Sequence, residues 1–132
     1  MDIYAQNILD RYKNPFHKDK KLNAAVRRKE ANHSCGDTIE ISLKMEDGKV
    51  TGYSFSGAGC AISMASADLL GDLTEGMTEK EILNLKKEDI FEMLGIEISL
   101  RRSKCALISL MALQNALLEN GHKETKNWTD YL

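Results

Sequence analysis

From Ile39 to Met45, apolar residues at 39, 41, 43 and 45 alternate with Glu40, Ser42 and Lys44, and an Asp47-Gly48 pair follows almost at once. Successive side chains of an extended chain point to opposite faces. The run therefore predicts a strand with one apolar and one polar face. Asp-Gly after such a run signals a tight hairpin, because both central positions of the turn take positive φ. The return run "VTGYSF" is out of phase: Val50 and Tyr53 would fall on opposite faces of a regular strand. A bulge at Thr51-Gly52 restores the phase. A hairpin built this way needs a cover for its apolar face.

The rest of the chain supplies that cover. Tyr4, Ile8 and Tyr12, with Ala5 and Leu9 beside them, predict an amphipathic helix that stops at Asn14, since Pro15 disfavours helical geometry in the residue before it. Phe16 to Lys21 reads as loop, and "LNAAVRRKEA" as a short edge strand. "SGAGC" breaks the second hairpin strand. A helix over Ala61–Leu73 follows, with Ile62, Ala65, Leu69 and Leu73 on one face and small residues (Ala61, Ser63, Ser66, Ala67) that permit close approach. Thr78 and Glu81 form a capping box ahead of a short helix. "KKEDIFEML" predicts another. The last helix spans about Ser103–Asn120, with Leu107, Leu110, Leu113 and Leu117 on its apolar face and Gly121 as C-cap. Trp128 and Tyr131 in the polar tail are expected to pack. The order helix, strands, helices is α+β: a small antiparallel sheet with helices gathered on one face.

At 132 residues, positions 1–132 form a single domain. A net charge of −2 gives no reason to expect nucleic acid, and the basic stretch "KDKKLNAAVRRKE" reads as solvated loop and strand edge. No apolar run is long enough to span a membrane, and "MDIYAQNILDRY" lacks the pattern of a secretory signal. The expected compartment is the cytoplasm. Three cysteines is an odd count for a disulfide framework. In a reducing compartment, three thiols and one further ligand suit a metal site.

Each cysteine falls at the edge of an element: Cys35 before the first strand, Cys60 where the second strand hands over to a helix, Cys105 in the first turn of the last helix. Cys35 and Asp37, two apart, can point the same way from an extended segment. Helix N-termini favour thiolate at Cys60 and Cys105, and Arg101, Arg102 and Lys104 should lower the Cys105 pKa further. Taken singly, each cysteine reads equally well as core. Gly57 and Gly59 before Cys60, and Gly36 between Cys35 and Asp37, allow close backbone approach to a ligand or simply make turns. If the three thiols converge with Asp37, the set suits tetrahedral zinc. Replacing one thiolate of a four-cysteine iron–sulfur site by a carboxylate weakens the hold on a soft centre, which suits release. Of His17, His33 and His122, only His33 is close enough in sequence to serve as an alternative ligand or a supporting group; a loop histidine without a role is the plainer reading.

These residues carry a resemblance. "ILDRYKNP", "CGD" at Cys35–Asp37, "GAGCAISMAS" at Gly57–Ser66 and "KCALISLMAL" at Lys104–Leu113 resemble, in order and spacing, the U-type iron–sulfur cluster assembly proteins: IscU, SufU and the NifU N-terminal domain. The resemblance implies a compact α+β fold with a three-stranded antiparallel sheet. It implies that Cys35, Asp37, Cys60 and Cys105 hold a transient [2Fe–2S] cluster or a zinc ion. It implies a cysteine desulfurase as sulfur donor, and apo iron–sulfur proteins or downstream carriers as recipients. The chain departs from both branches of the family. Lys104 stands where IscU-type members carry histidine, and "ISLRRSK" stands in place of their LPPVK-type motif, which leaves docking of a dedicated Hsp70 chaperone open. A basic residue before the third cysteine is SufU-like, but the extra segment of SufU-type members is missing.

Three functional expectations follow. The first is an assembly scaffold on which Cys35, Cys60 and Cys105 are thiolate ligands and persulfide acceptors, Cys105 foremost, and Asp37 is the labile ligand. The second is a zinc-dependent sulfurtransferase that activates a desulfurase. The third is a zinc-stabilised interaction domain without sulfur chemistry.

Overall fold

The computed structural model describes residues 2–23 and 26–132. Helix α1 (Ile3–Lys13) is followed by strands β1 (Val26–Asn32), β2 (Asp37–Glu46) and β3 (Lys49–Ala58). Helices α2 (Ala61–Thr74), α3 (Glu79–Leu83), α4 (Lys87–Leu94) and α5 (Ser103–Asn120) complete the chain, with single 3₁₀ turns at Leu100–Arg102 and Trp128–Asp130. The sheet is antiparallel in the order β1-β2-β3, so the alternating strand is central. Its apolar residues Ile39, Ile41 and Leu43 are fully buried beneath the helices. The expected α+β architecture with a three-stranded sheet is the one observed. Among the described residues, no helix is long and apolar enough to cross a membrane.

The hairpin follows its local chemistry. Asp47 and Gly48 take φ of 52° and 76°, the double positive turn that Asp-Gly favours. Lys44 pairs with Gly52 and Met45 with Val50, which leaves Thr51 as the extra residue of a bulge. That single insertion puts Val50 and Tyr53 both in the core. β3 does not break at Ser56–Gly57; it pairs as far as Ala58, and the chain turns at Gly59. Gly57 makes this possible. Its φ is +133°, and a Cβ there would stand 2.0 Å from the Thr38 carbonyl oxygen. The expected edge strand is β1, from Val26; Ala24 and Ala25 lie outside the described residues.

Two helices differ from the one-face reading. In α2, Ile62 and Leu73 are only half-buried, while Ser63 through Gly71 are buried without interruption. In α5, Cys105 through Leu117 are all buried. Both helices are enclosed on several sides, so periodicity marks no outer face. The small residues are used as expected: Ser66 Oγ donates to the Ala106 carbonyl at 2.8 Å, where α2 and α5 approach. The tail packs too. Asn115 clasps the Lys126 backbone at both N and O, and buried Tyr131 donates to Gln114 Oε1.

Helix α1 is anchored differently from expectation. Of Tyr4, Ile8 and Tyr12, only Ile8 is buried. The anchor is Asp68 on α2, with a side chain of zero exposure. Asp68 accepts from Arg11 Nη1 at 2.9 Å and from the backbone N–H groups of Phe16 and His17 at 2.9 and 2.7 Å. Asp72, one turn on, meets Arg11 and His17 Nε2. Burial pushes the Asp72 carboxyl up, but hydrogen bonds from Arg11 and His17 outweigh it and hold the group below its ordinary value.

Asp68→Ala leaves Arg11 with Asp72 alone and strands the part-buried N–H groups of Phe16 and His17, so it should lower unfolding free energy by about 3 kcal/mol in urea titration. Asp72 gives a pH prediction. Its folded pKa is depressed, so its contribution is present above the unfolded value of about 4 and is lost as pH falls through the folded value. Wild type and Asp72→Asn should differ in stability at neutral pH and converge in acid.

Candidate functional site

Three pieces of chain meet at one end of the sheet. The first is the turn between β1 and β2. Cys35 N and Gly36 N both donate to the Asn32 carbonyl, at 3.3 and 2.9 Å, and Gly36 takes φ of +75°. This presents Cys35 at the surface and starts β2 with Asp37, which is buried at 2% exposure. The second is the β3–α2 junction. Cys60 occupies the N-cap position of α2, and its backbone N–H donates to Asp37 Oδ1 at 3.2 Å. Gly59 is needed here for space: a Cβ would lie 2.6 Å from Asp37 Oδ1. The third is the first turn of α5, which carries Cys105, exposed by 2%.

The ligand atoms of Cys35, Asp37 and Cys105 lie within 4.8 Å of one another, and the Cys35 and Cys105 sulfurs are 3.8 Å apart. Cys60 is not one of this close trio. It lines the same cavity, of about 340 Å³, whose walls also include Gly59, Arg101 and Arg102. All four residues singled out from the sequence therefore border one space. His33 is exposed and is not one of the converging residues. His17 is committed to Asp72.

The thiols differ electrostatically. Burial pushes the Cys60 thiol up, but hydrogen bonds from the Ser63 N–H and hydroxyl, from Cys105 and from the Ile62 N–H outweigh it and lower its pKa. Cys105 runs against expectation. Burial, the Asp37 carboxylate and the neighbouring Cys60 push it far above its ordinary value. The basic residues do not reverse this. Arg101 and Arg102 are exposed, and Lys104 turns away to place its ammonium 5.6 Å from the centre of the Trp128 ring. A divalent metal would displace the proton and bind Cys105 as thiolate.

The donor set fits a metal. Asp37 Oδ2 is buried and has no hydrogen-bond partner, a costly state for a carboxylate oxygen and one that a cation relieves. Thiolates with one carboxylate suit tetrahedral zinc and also the iron of a sulfide-bridged cluster. Sequence reasoning missed Asn32, which closes the Cys35 turn. Its signal was an asparagine two residues before Ser34, whose N–H its side chain accepts at 3.3 Å.

The model of the NifU-like N-terminal domain family matches residues 3–127. The zinc-dependent sulfurtransferase SufU of Bacillus subtilis is 31% identical over 132 aligned residues, covering 87% of this chain and 89% of that protein. The iron–sulfur cluster assembly scaffold protein IscU of Thermotoga maritima is 40% identical over 86 residues, or 65% of this chain and 61% of the relative. Among solved structures, the N-terminal part of a nitrogen-fixing NifU-like protein from Brucella abortus superposes with a TM-score of 0.68. It is 22% identical and covers 92% of this chain and 96% of its own, a likeness of fold.

The unequal thiols give a chemical prediction. In metal-free protein at neutral pH, iodoacetamide should modify Cys60 well before Cys105, with the order read by peptide mass spectrometry. Equal rates at the two positions would contradict the electrostatics described here.

Proposed function

The chain belongs to the NifU-like N-terminal domain family, and from this membership and the cavity of thiols and carboxylate we propose that it is an iron–sulfur cluster assembly scaffold. In this reading it accepts sulfane sulfur from a cysteine desulfurase, builds a [2Fe–2S] cluster on Cys35, Asp37, Cys60 and Cys105 once an external electron donor has reduced that sulfur to sulfide with two electrons per atom, and passes the cluster to apo-proteins. The observation that carries the reading is the close group of Cys35, Asp37 and Cys105 around a buried carboxylate oxygen without a partner.

Sulfur arrives as the terminal atom of a persulfide on the desulfurase. A thiolate of this chain attacks that sulfur, the donor's S–S bond breaks, and the desulfurase thiolate leaves. Cys35 is the exposed thiol and meets the donor first. This reading puts Cys35 ahead of Cys105, the acceptor expected from its basic neighbours, because a thiol 2% exposed with a raised pKa needs the site to open before it can attack. Cys105, 3.8 Å from Cys35, then completes the ligand set. Arg101 and Arg102 at the cavity wall supply positive charge for anionic sulfur and iron–sulfide species. Asp37, the hard ligand among soft ones, is where a soft centre is held least firmly and where release begins.

A second reading has its own support. The SufU similarity spans most of the chain, and Lys104 gives the basic residue of that branch. Here a resident zinc would order the site and free one thiolate when the desulfurase docks.

Anaerobic reconstitution with iron(II), cysteine, a desulfurase and a thiol reductant that supplies the electrons for sulfide separates the two. Iron and acid-labile sulfide in equal amounts on the re-isolated protein, lost on Cys35→Ala, are expected for a scaffold. Retained zinc with persulfide and no iron would replace the scaffold reading by the sulfur-carrier one. On the scaffold reading, Asp37→Ala should hold its cluster longer and transfer it to an apo-ferredoxin more slowly. Faster transfer would remove Asp37 from the release step.

A further inference from the structure

Among the described residues, two buried side-chain atoms have no hydrogen-bond partner: Asn32 Nδ2 and Asp37 Oδ2. They belong to residues paired on the last rung between β1 and β2. Paired residues of an antiparallel ladder put their side chains on the same face. Two rungs in, on that face, Glu30 receives a hydrogen bond from Asn115 of α5, so this is the face that α5 covers. Asn32 is 1% exposed. Its carbonyl takes the N–H groups of Cys35 and Gly36, and its Oδ1 takes that of Ser34. Asn32 thus ties the turn that presents Cys35, and only the donor end of its amide is left over.

Burying an amide N–H with no acceptor forfeits its hydrogen bond to water without return. A donor and an acceptor are left unsatisfied on one rung, and the acceptor's residue lines the cavity of the thiols. They call for an occupant with both a cation and an electron-rich atom. We propose that Asn32 is a positioning residue for that occupant: Asp37 Oδ2 takes the metal, and Asn32 Nδ2–H donates to a metal-bound sulfur. The inference rests on the reading that the cavity holds zinc or an iron–sulfur cluster. An N–H···S bond draws charge from the sulfur and orients it, which raises retention of the metal without adding a ligand.

Two measurements test this. The metal-free protein is first loaded with a spin-half cadmium isotope and followed by NMR. Failure to bind cadmium overturns the metal reading itself, whatever Asn32 does. If cadmium binds, an Asn32 side-chain amide proton should move downfield and show scalar coupling to the metal through the sulfur. Bound cadmium with no response at Asn32 overturns the proposal. The second measurement compares wild type with Asn32→Ser, which keeps a short oxygen for the Ser34 N–H, adds no charge and deletes the amide donor. Cobalt(II) affinity should fall by roughly 10-fold or more. The thiolate-to-cobalt charge-transfer band should move to lower energy, while the melting temperature of the metal-free protein stays level or rises. An unmoved band with unchanged affinity would mean that Nδ2 serves only a solvent molecule. An unmoved band with lowered metal-free stability would assign Asn32 to the turn alone. Either result overturns the proposal.

Discussion

A carboxylate has been put under cover at the open end of a sheet, and much of the molecule is arranged around it. Asp37 is 2% exposed, with one oxygen held by the Cys60 N–H and the other unpartnered. A buried carboxylate is costly unless paired. Three independent chain segments come close enough to supply partners: the Asn32–Gly36 turn, the Gly59–Cys60 corner and the start of α5. Each approach has its own local device. Asn32 folds the turn, the missing side chain of Gly59 admits the corner, and Ser66 lets α2 and α5 close up so that Cys60 and Cys105 border one cavity.

The same cover explains why the thiols are unequal. Cys60 sits at a helix start with N–H and hydroxyl donors aimed at it, and its pKa falls. Cys105 sits one layer deeper, next to the carboxylate, and its pKa rises. Nearby arginines do not offset this, because exposed charges are screened by solvent and a buried neighbour is not. The cavity thereby offers four unlike groups: an exposed thiol, a half-buried one, a buried one and a carboxylate oxygen.

The remainder of the fold holds this end still. Asp68 clamps α1 to α2 through Arg11 and the chain just after Pro15. Gln114 and Asn115 hold the tail, and the tail holds Lys104 against Trp128, away from the cavity. These contacts lie far apart in sequence, and none has a periodic signal. The expectation of an apolar stripe along α1 failed for this reason: an ion pair with a residue 57 positions away does what Tyr4 and Tyr12 were expected to do.

What the sequence determined by itself is local. Alternation in Ile39–Met45, the Asp-Gly turn, the misphased return strand with its bulge, the Thr78–Glu81 box and the stop before Pro15 are set by neighbours a few residues apart. All stand in the structure. The four residues that border the cavity were legible as candidates too, because cysteines at element edges and an aspartate two residues from one of them are local features. Tertiary structure decided how close they come, which thiol is acidic, and that Asn32 belongs with them. Distance, burial and desolvation depend on segments brought together from across the chain, and a linear pattern of residue types carries none of those quantities.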